Sequence, residues 1–394
     1  MKRYDMIHLY VEHLLNIKTL SIQACLTTVS NKETKATISA DGAILTLTHE
    51  NETASVKLSV NVSPRKQSNI TFTLPAVPSR ELSFRVQLEE KEGQGYGAFP
   101  NGDRDGSNVV PWTADVLTPE TEIRCSYCDS ILVSRGMIRT WKDLPSEGWA
   151  EMMEFWHCHK PHEPHSHSNG EVQKGYTASS QLALEPGVGM VGPLDFLFMP
   201  ADCTNTTTAT SHAEHEGEDS ALLCSQCKTI VGVFEASTGA YDLRKLHLSV
   251  STIPTSSTPN HGTHKWLACL LLCAMDTQGV RKFSVRTHLE DASTLKIWIF
   301  TPDITVSSSV MASTEPGRFV KVLWQHTEDP QHGSDRLNAA SLTEGEVKLR
   351  GGEVDMLCAM LTKGGELMPE AARHFQGWNV GLLKRFTASD IAPS

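Results

Sequence analysis

The chain has 394 residues, 39% of them apolar and 21% charged, a balance that fits a globular protein of two to three domains. Its net charge of −11, with no basic run, excludes a general binder of nucleic acid or of membrane surfaces. No stretch reaches the ~18 consecutive apolar residues of a membrane span, and the start, Met1-Lys-Arg-Tyr-Asp, lacks a signal-like apolar core. The expectation is therefore a cytoplasmic protein, or a cytoplasmic and nuclear one, whose ten cysteines are thiols or metal ligands rather than disulfides.

From Tyr4 to Glu90 apolar and polar residues alternate in short runs: Ile17 to Leu26, Ala43 to Leu47, Val56 to Val62, Ile70 to Leu74 and Leu82 to Leu88. A period of two, rich in Thr, Val and Ile and punctuated by Asp41-Gly42 and Ser63-Pro64, predicts antiparallel strands with one wet face. We read an N-terminal β-sandwich or barrel over residues 1–118. The glycines of Gly93-Gln-Gly-Tyr-Gly97 do not form a phosphate cradle, because an acidic, helix-breaking stretch follows them where a helix would have to start.

Residues 119–250 open with Cys125-Ser-Tyr-Cys128 and the apolar run Ile131 to Val133. The next segment carries Ser146 as an N-cap and Glu147 in the first turn. Trp149, Met152, Met153 and Trp156 follow at i, i+3, i+4 and i+7, one face of a helix that Pro161 stops. A His-rich loop (162–167), a buried strand from Leu194 to Met199 and a polar insertion from Thr204 to Asp219 lead to a second knuckle, Cys224-Ser-Gln-Cys227, with Ile230 to Phe234 behind it. A strand from Leu246 to Val250 and a Ser/Thr/Pro linker from Ser251 to Pro259 close the region.

Residues 260–394 read as an α+β part. Trp266 to Met275 is a buried helix or strand; Phe283 to Arg286, Leu295 to Phe300 and Phe319 to Trp324 are strands; Val354 to Leu361 is a helix. Met368 to Phe375 is expected to form a last short helix, with Pro369 in its first turn. The fold class is thus α+β, mostly β.

Two C-x-x-C knuckles, each leading into strand-like sequence, make a four-sulfur set. Cys125, Cys128, Cys224 and Cys227 are the expected ligands of one zinc ion, held tetrahedrally and structurally, since four thiolates leave no open position. Of the other cysteines, Cys25, Cys269, Cys273 and Cys358 sit among apolar residues and read as core, and Cys203 is undetermined. Cys158 is different, because it leaves the tryptophan-rich helix between His157 and His159. Imidazolium charge would favour its thiolate and the helix C-terminus would oppose it, so nucleophile, second metal ligand and structural thiol all stay open.

The run from Leu144 through Trp149, Trp156 and Cys158 to Pro161 resembles the signature of the HECT-like ubiquitin-protein ligases, also described as ubiquitin-conjugating-enzyme-binding proteins. Tyr10 to Leu20, Lys296 to Phe300, Lys321 to Trp324 and Phe375 to Leu383 agree with it. The resemblance implies a protein that binds a ubiquitin-conjugating enzyme, accepts ubiquitin on a cysteine, matched here by Cys158, and passes it to lysine. It also implies a link to the endonuclease of mRNA 3′-end cleavage; the acidic net charge argues that neither nucleic acid nor membrane is bound directly. The alternative is a non-catalytic, zinc-stabilised adaptor or chaperone for that nuclease, with Trp149, Trp156, His157 and His159 as partner contacts.

Overall fold

The computed structural model describes residues 7–62, 70–72, 77–88, 108–144, 184–209, 219–253, 261–286, 293–328, 344–349 and 352–391. The chain forms two units, one of residues 1–109 with 262–392 and one built on residues 110–261.

The first unit is organised on a nine-stranded sheet whose main path runs His374–Phe375, Trp378–Lys384, Gly317–Glu328, Ser293–Ser308, His8–Leu14, Thr19–Cys25, Glu81–Gln87. Ser293–Ser308 pairs along one side with Gly317–Glu328, and on the other first with Lys282–Arg286 and then with His8–Leu14. The register slips between Ile299 and Ile304, around Pro302, whose missing N–H interrupts the ladder. Glu344–Lys348 adds in parallel beside Lys282–Arg286.

The strand His8–Leu14 shows why the pairing works. Leu9 and Val11 enter one core with Leu20, Ile22, Leu45 and Leu47, while Tyr10 enters another with Ile304, Val306, Phe319 and Leu382. Both faces are buried, so this strand lacks the period-two alternation that marks its neighbours, and sequence reading did not single it out. Leu45 and Leu47 come from a four-stranded antiparallel sheet ordered Glu52–Lys57, Ile44–His49, Lys35–Ile38, Ile70–Phe72, the strand pairing that the alternation between Tyr4 and Glu90 predicts.

Strands from both ends of the chain share one sheet, so the segments 1–118 and 260–394, expected as separate domains, are regrouped into a single unit. Tyr10 faces Ser308 across that sheet, a pairing of nearly three hundred residues' separation that local pattern does not encode. Trp266 to Met275 lies within a helix, Thr263–Gln278, ended by Gly279 at φ 66°. The second helix, Glu353–Gly365, has Glu353 and Asp355 in its first turn and Lys363 in its last, the arrangement the helix dipole favours. The short helix expected over Met368 to Phe375 is not formed. A single 3-10 turn, Glu370–Ala372, precedes a hairpin through Gln376 and Gly377, whose φ values of 49° and 85° suit a two-residue turn that lets His374–Phe375 pair with Trp378–Lys384.

The second unit holds a seven-stranded sheet ordered Thr140–Asp143, Val188–Val191, Asp195–Phe198, Ala240–Arg244, Ile230–Glu235, Ser220–Cys224, Thr206–Thr208. A three-stranded sheet, Leu248–Ser251, Glu122–Cys125, Ile131–Val133, stands beside it. Trp141, Phe196 and Phe198 pack with centroids 5.9 Å apart. The buried Lys245 ammonium lies 4.7 Å from the Phe196 ring and donates to the Trp112 carbonyl at 3.0 Å, which gives the charge a partner inside the core. The segment from Thr204, expected as a flexible insertion, contributes the strand Thr206–Thr208 against Ser220–Cys224.

Candidate metal centre

Each knuckle is the turn of a β-hairpin, and the two hairpins match residue for residue. In the first, Ile123 faces Val133 and Arg124 faces Ile131; in the second, Leu222 faces Gly232 and Leu223 faces Ile230. The one-residue slip falls at the same place in both, just before the first cysteine. A third strand then lies beside each, pairing Leu248 with Cys125 and Thr206 with Cys224.

The turns are built by the same hydrogen bonds. The Cys125 N–H donates to the Ser130 carbonyl and the Cys224 N–H to the Thr229 carbonyl, both at 2.9 Å. In return Asp129 donates to the Cys125 carbonyl and Lys228 to the Cys224 carbonyl, again at 2.9 Å. One residue past the first cysteine, Ser126 donates to His247 at 3.0 Å and Ser225 to Asn205 at 2.8 Å. These bonds fix both turns, and further N–H groups of the first knuckle, those of Tyr127, Cys128 and Ser130, point at its sulfurs.

The four Sγ atoms lie within 4.8 Å of one another, with Cys125 to Cys227 at 3.7 Å and Cys128 to Cys224 at 3.6 Å. Metal–thiolate bonds of about 2.3 Å in a tetrahedron place sulfurs about 3.8 Å apart, so the cluster has the dimensions of a four-thiolate site. Cys125 and Cys224 are fully buried, whereas Cys128 and Cys227 reach the surface. Burial pushes the Cys125 thiol up to about 12. Cys227 is pulled down to about 6 by the Thr229 hydroxyl, 3.3 Å from its sulfur, and then by the Thr229 N–H. Cys125 and Cys227 are thus pushed in opposite directions, and a divalent cation at the centre of the cluster would supply the charge that favours thiolate ligands. An ion held there would tie the three-stranded sheet to the seven-stranded one. Thr229, Asn205 and His247 support the site without any mark in the sequence, since their roles follow from pairing.

Trp149, Trp156, His157, Cys158 and His159, the expected catalytic and partner-binding residues, lie outside the described residues, as does the His-rich loop. Cys269 is buried, and its sulfur sits 3.9 Å from that of the half-buried Cys273. Cys358, expected in the core, is instead half-buried, with Sγ 3.8 Å from His326 Nε2. It flanks the truly buried Leu357 and Leu361 on its helix, which is why apolar neighbours misplaced it.

The chain matches the family model described as HECT-like ubiquitin-conjugating enzyme (E2)-binding over residues 12–380. An uncharacterized protein of Schizosaccharomyces pombe is 24% identical over 341 residues, covering 82% of this chain and 92% of the yeast protein. An uncharacterized protein of Saccharomyces cerevisiae is 25% identical over 278 residues, or 70% of each chain. No solved structure matches significantly. With the match running through both units and both knuckles, the chain belongs to the HECT-like ubiquitin-conjugating-enzyme-binding family.

Proposed function

We propose that this protein is a ubiquitin-protein ligase: it binds a charged ubiquitin-conjugating enzyme, takes ubiquitin as a thioester on Cys158 and passes it to a lysine amine. The observation that carries the reading is the family match across residues 12–380, which includes the segment around Cys158. The chemistry asks little of the protein. Thioester exchange between two cysteines is close to isoenergetic, so proximity and a reactive sulfur supply most of what is needed, and the lysine must arrive deprotonated. The four-cysteine cluster is proposed to hold zinc in a structural role, because four thiolates close the coordination sphere. Such a ligase belongs in the cytoplasm.

A four-cysteine cluster that would close a metal's coordination sphere favours a second reading, an adaptor that docks a conjugating enzyme, or supports an mRNA 3′-end cleavage endonuclease in the nucleus, without covalent chemistry. One assay separates the two. Full-length protein incubated with ubiquitin, activating enzyme, ATP and a panel of conjugating enzymes is expected to show a reductant-sensitive adduct that weakens in Cys158→Ala. Binding to a conjugating enzyme with no adduct in any member of the panel would leave the adaptor.

A further inference from the structure

Outside the four-cysteine cluster, one thiol among the described residues of the first unit faces an imidazole. Cys358 sits in the middle of the helix Glu353–Gly365, and His326 near the end of the strand Gly317–Glu328. Their Sγ and Nε2 atoms are 3.8 Å apart, within reach of an S–H···N hydrogen bond. The pair opens to solvent: the thiol is half-buried and the imidazole exposed.

Both members are held in place. Leu357 and Leu361, fully buried, fix the helix beneath Cys358, and the Thr362 hydroxyl donates to the Cys358 carbonyl at 2.8 Å. Trp324, two residues before His326 on the strand, packs edge-on against the imidazole at 6.0 Å and 85°. Other thiols face different groups. Cys25 lies against the Leu26 carbonyl at 3.8 Å and the Glu81 carboxylate, whose negative charge opposes its thiolate, and Cys269 and Cys273 face each other and Asn108.

We propose that Cys358 and His326 form a second acyl-acceptor pair, in which Cys358 takes ubiquitin from a conjugating-enzyme thioester with His326 as its base; this rests on the ligase reading above. His326 Nε2 accepts the Cys358 proton as Sγ attacks the thioester carbonyl at the C-terminus of ubiquitin. The tetrahedral adduct collapses and expels the conjugating enzyme's cysteine thiolate, which takes the proton back from His326. One carbon–sulfur bond forms and one breaks, so no oxidant or reductant enters. Attack by a lysine amine on the new thioester then forms the amide and restores the Cys358 thiol.

A base is needed at this position. Burial, and after it the charge of Asp355, push the Cys358 thiol up, so the sulfur becomes a nucleophile by giving its proton away rather than by resting as thiolate.

Two measurements on the full chain test the pair. Iodoacetamide labelling of the native protein, read by mass spectrometry, is expected to modify Cys358 ahead of Cys25 and Cys203, whose thiols are raised to about 11 and about 12. His326→Gln, with an unchanged melting midpoint, is expected to slow that labelling by about tenfold or more and leave Cys25 unaffected. In the ubiquitin assay, Cys158→Ala is expected to keep a reductant-sensitive adduct that Cys158→Ala/Cys358→Ala loses. An adduct present in the parent and absent from Cys158→Ala, or Cys358 labelling indifferent to His326→Gln, would overturn the proposal. No adduct in the parent itself would instead remove the ligase reading, and the acyl-acceptor role with it.

Discussion

Asp129 and Lys228 share one backbone conformation: each follows the second cysteine of its knuckle, and each sits at φ 59°. An L-residue there costs about 1–2 kcal/mol, yet both turns adopt it, because that twist brings the chain back into the returning strand while the sulfurs stay inward.

Lys228→Gly is therefore expected to stabilise the protein by about 0.5–1 kcal/mol, since glycine accepts the left-handed region without penalty. Lys228→Val, with a β-branched side chain in the same place, is expected to lower stability by about 1–2 kcal/mol. Urea midpoints for the two variants check this. Equal midpoints would mean that the turn is not held at positive φ.

The two hairpins match in register but differ in residue at Gly232. Its counterpart Val133 lies on an edge strand, whereas Ile230–Glu235 is flanked by Ala240–Arg244, and a Cβ at Gly232 would overlap the Asp242 carbonyl oxygen. Gly232→Ala is expected to cost about 1–3 kcal/mol through forced backbone movement. Val133→Ala provides the contrast, losing buried methyl groups without any clash. Thermal melting of the pair distinguishes the two effects, and a Gly232→Ala protein that melts like the parent would contradict the close approach.

Two histidines, the buried His13 and the half-buried His264, set an acid limit on stability. Burial pushes His13 and His264 each from the ordinary 6.5 down to about 4, helped at His264 by the positive charges of Lys265, Lys384 and Lys363. The folded imidazoles thus stay neutral in a range where the unfolded chain is protonated. Between pH 6.5 and about 4 the unfolded state binds more protons, so stability falls as pH falls, and the loss levels off below about 4. A double His13→Gln/His264→Gln variant is expected to flatten the midpoint-against-pH curve in that window. A curve as steep as the parent's would assign the acid sensitivity to other groups.

Features written in adjacent residues were legible in the sequence, and those made by distant pairing were not. The knuckles could be read because two residues between cysteines fix a turn, and the antiparallel strands because Leu45, Leu47 and Val56 alternate with polar neighbours. The strand His8–Leu14 escaped because both its faces are buried, and the union of the chain's two ends escaped because Tyr10 meets Ser308. Cys358 was misread for a related reason: its own helix carries apolar neighbours, but its partner His326 arrives from another element, the strand Gly317–Glu328. The matching slips at Ile123 and Leu222 carry no sequence signal beyond the repeated cysteines.

Loss of one ligand is expected to weaken the whole second unit. Cys224 is fully buried and ends the strand that carries the second knuckle, so Cys224→Ser leaves three sulfurs and a hydroxyl facing one another. Structural zinc sites contribute so much folding free energy that a loss on the order of several kcal/mol is expected, reproduced in the parent by a strong chelator. Melting curves with and without chelator check it. A variant that melts like the parent and ignores the chelator would show that the cluster is only packed thiols.

X-ray absorption at the zinc edge, with elemental analysis of the freshly purified full chain, tests the metal centre most directly. One zinc per chain with four sulfur neighbours at about 2.3 Å is expected, lost together with the fold when Cys125 or Cys224 is changed to serine. Protein that is folded and metal-free, or a zinc shell containing nitrogen or oxygen in place of sulfur, would contradict it.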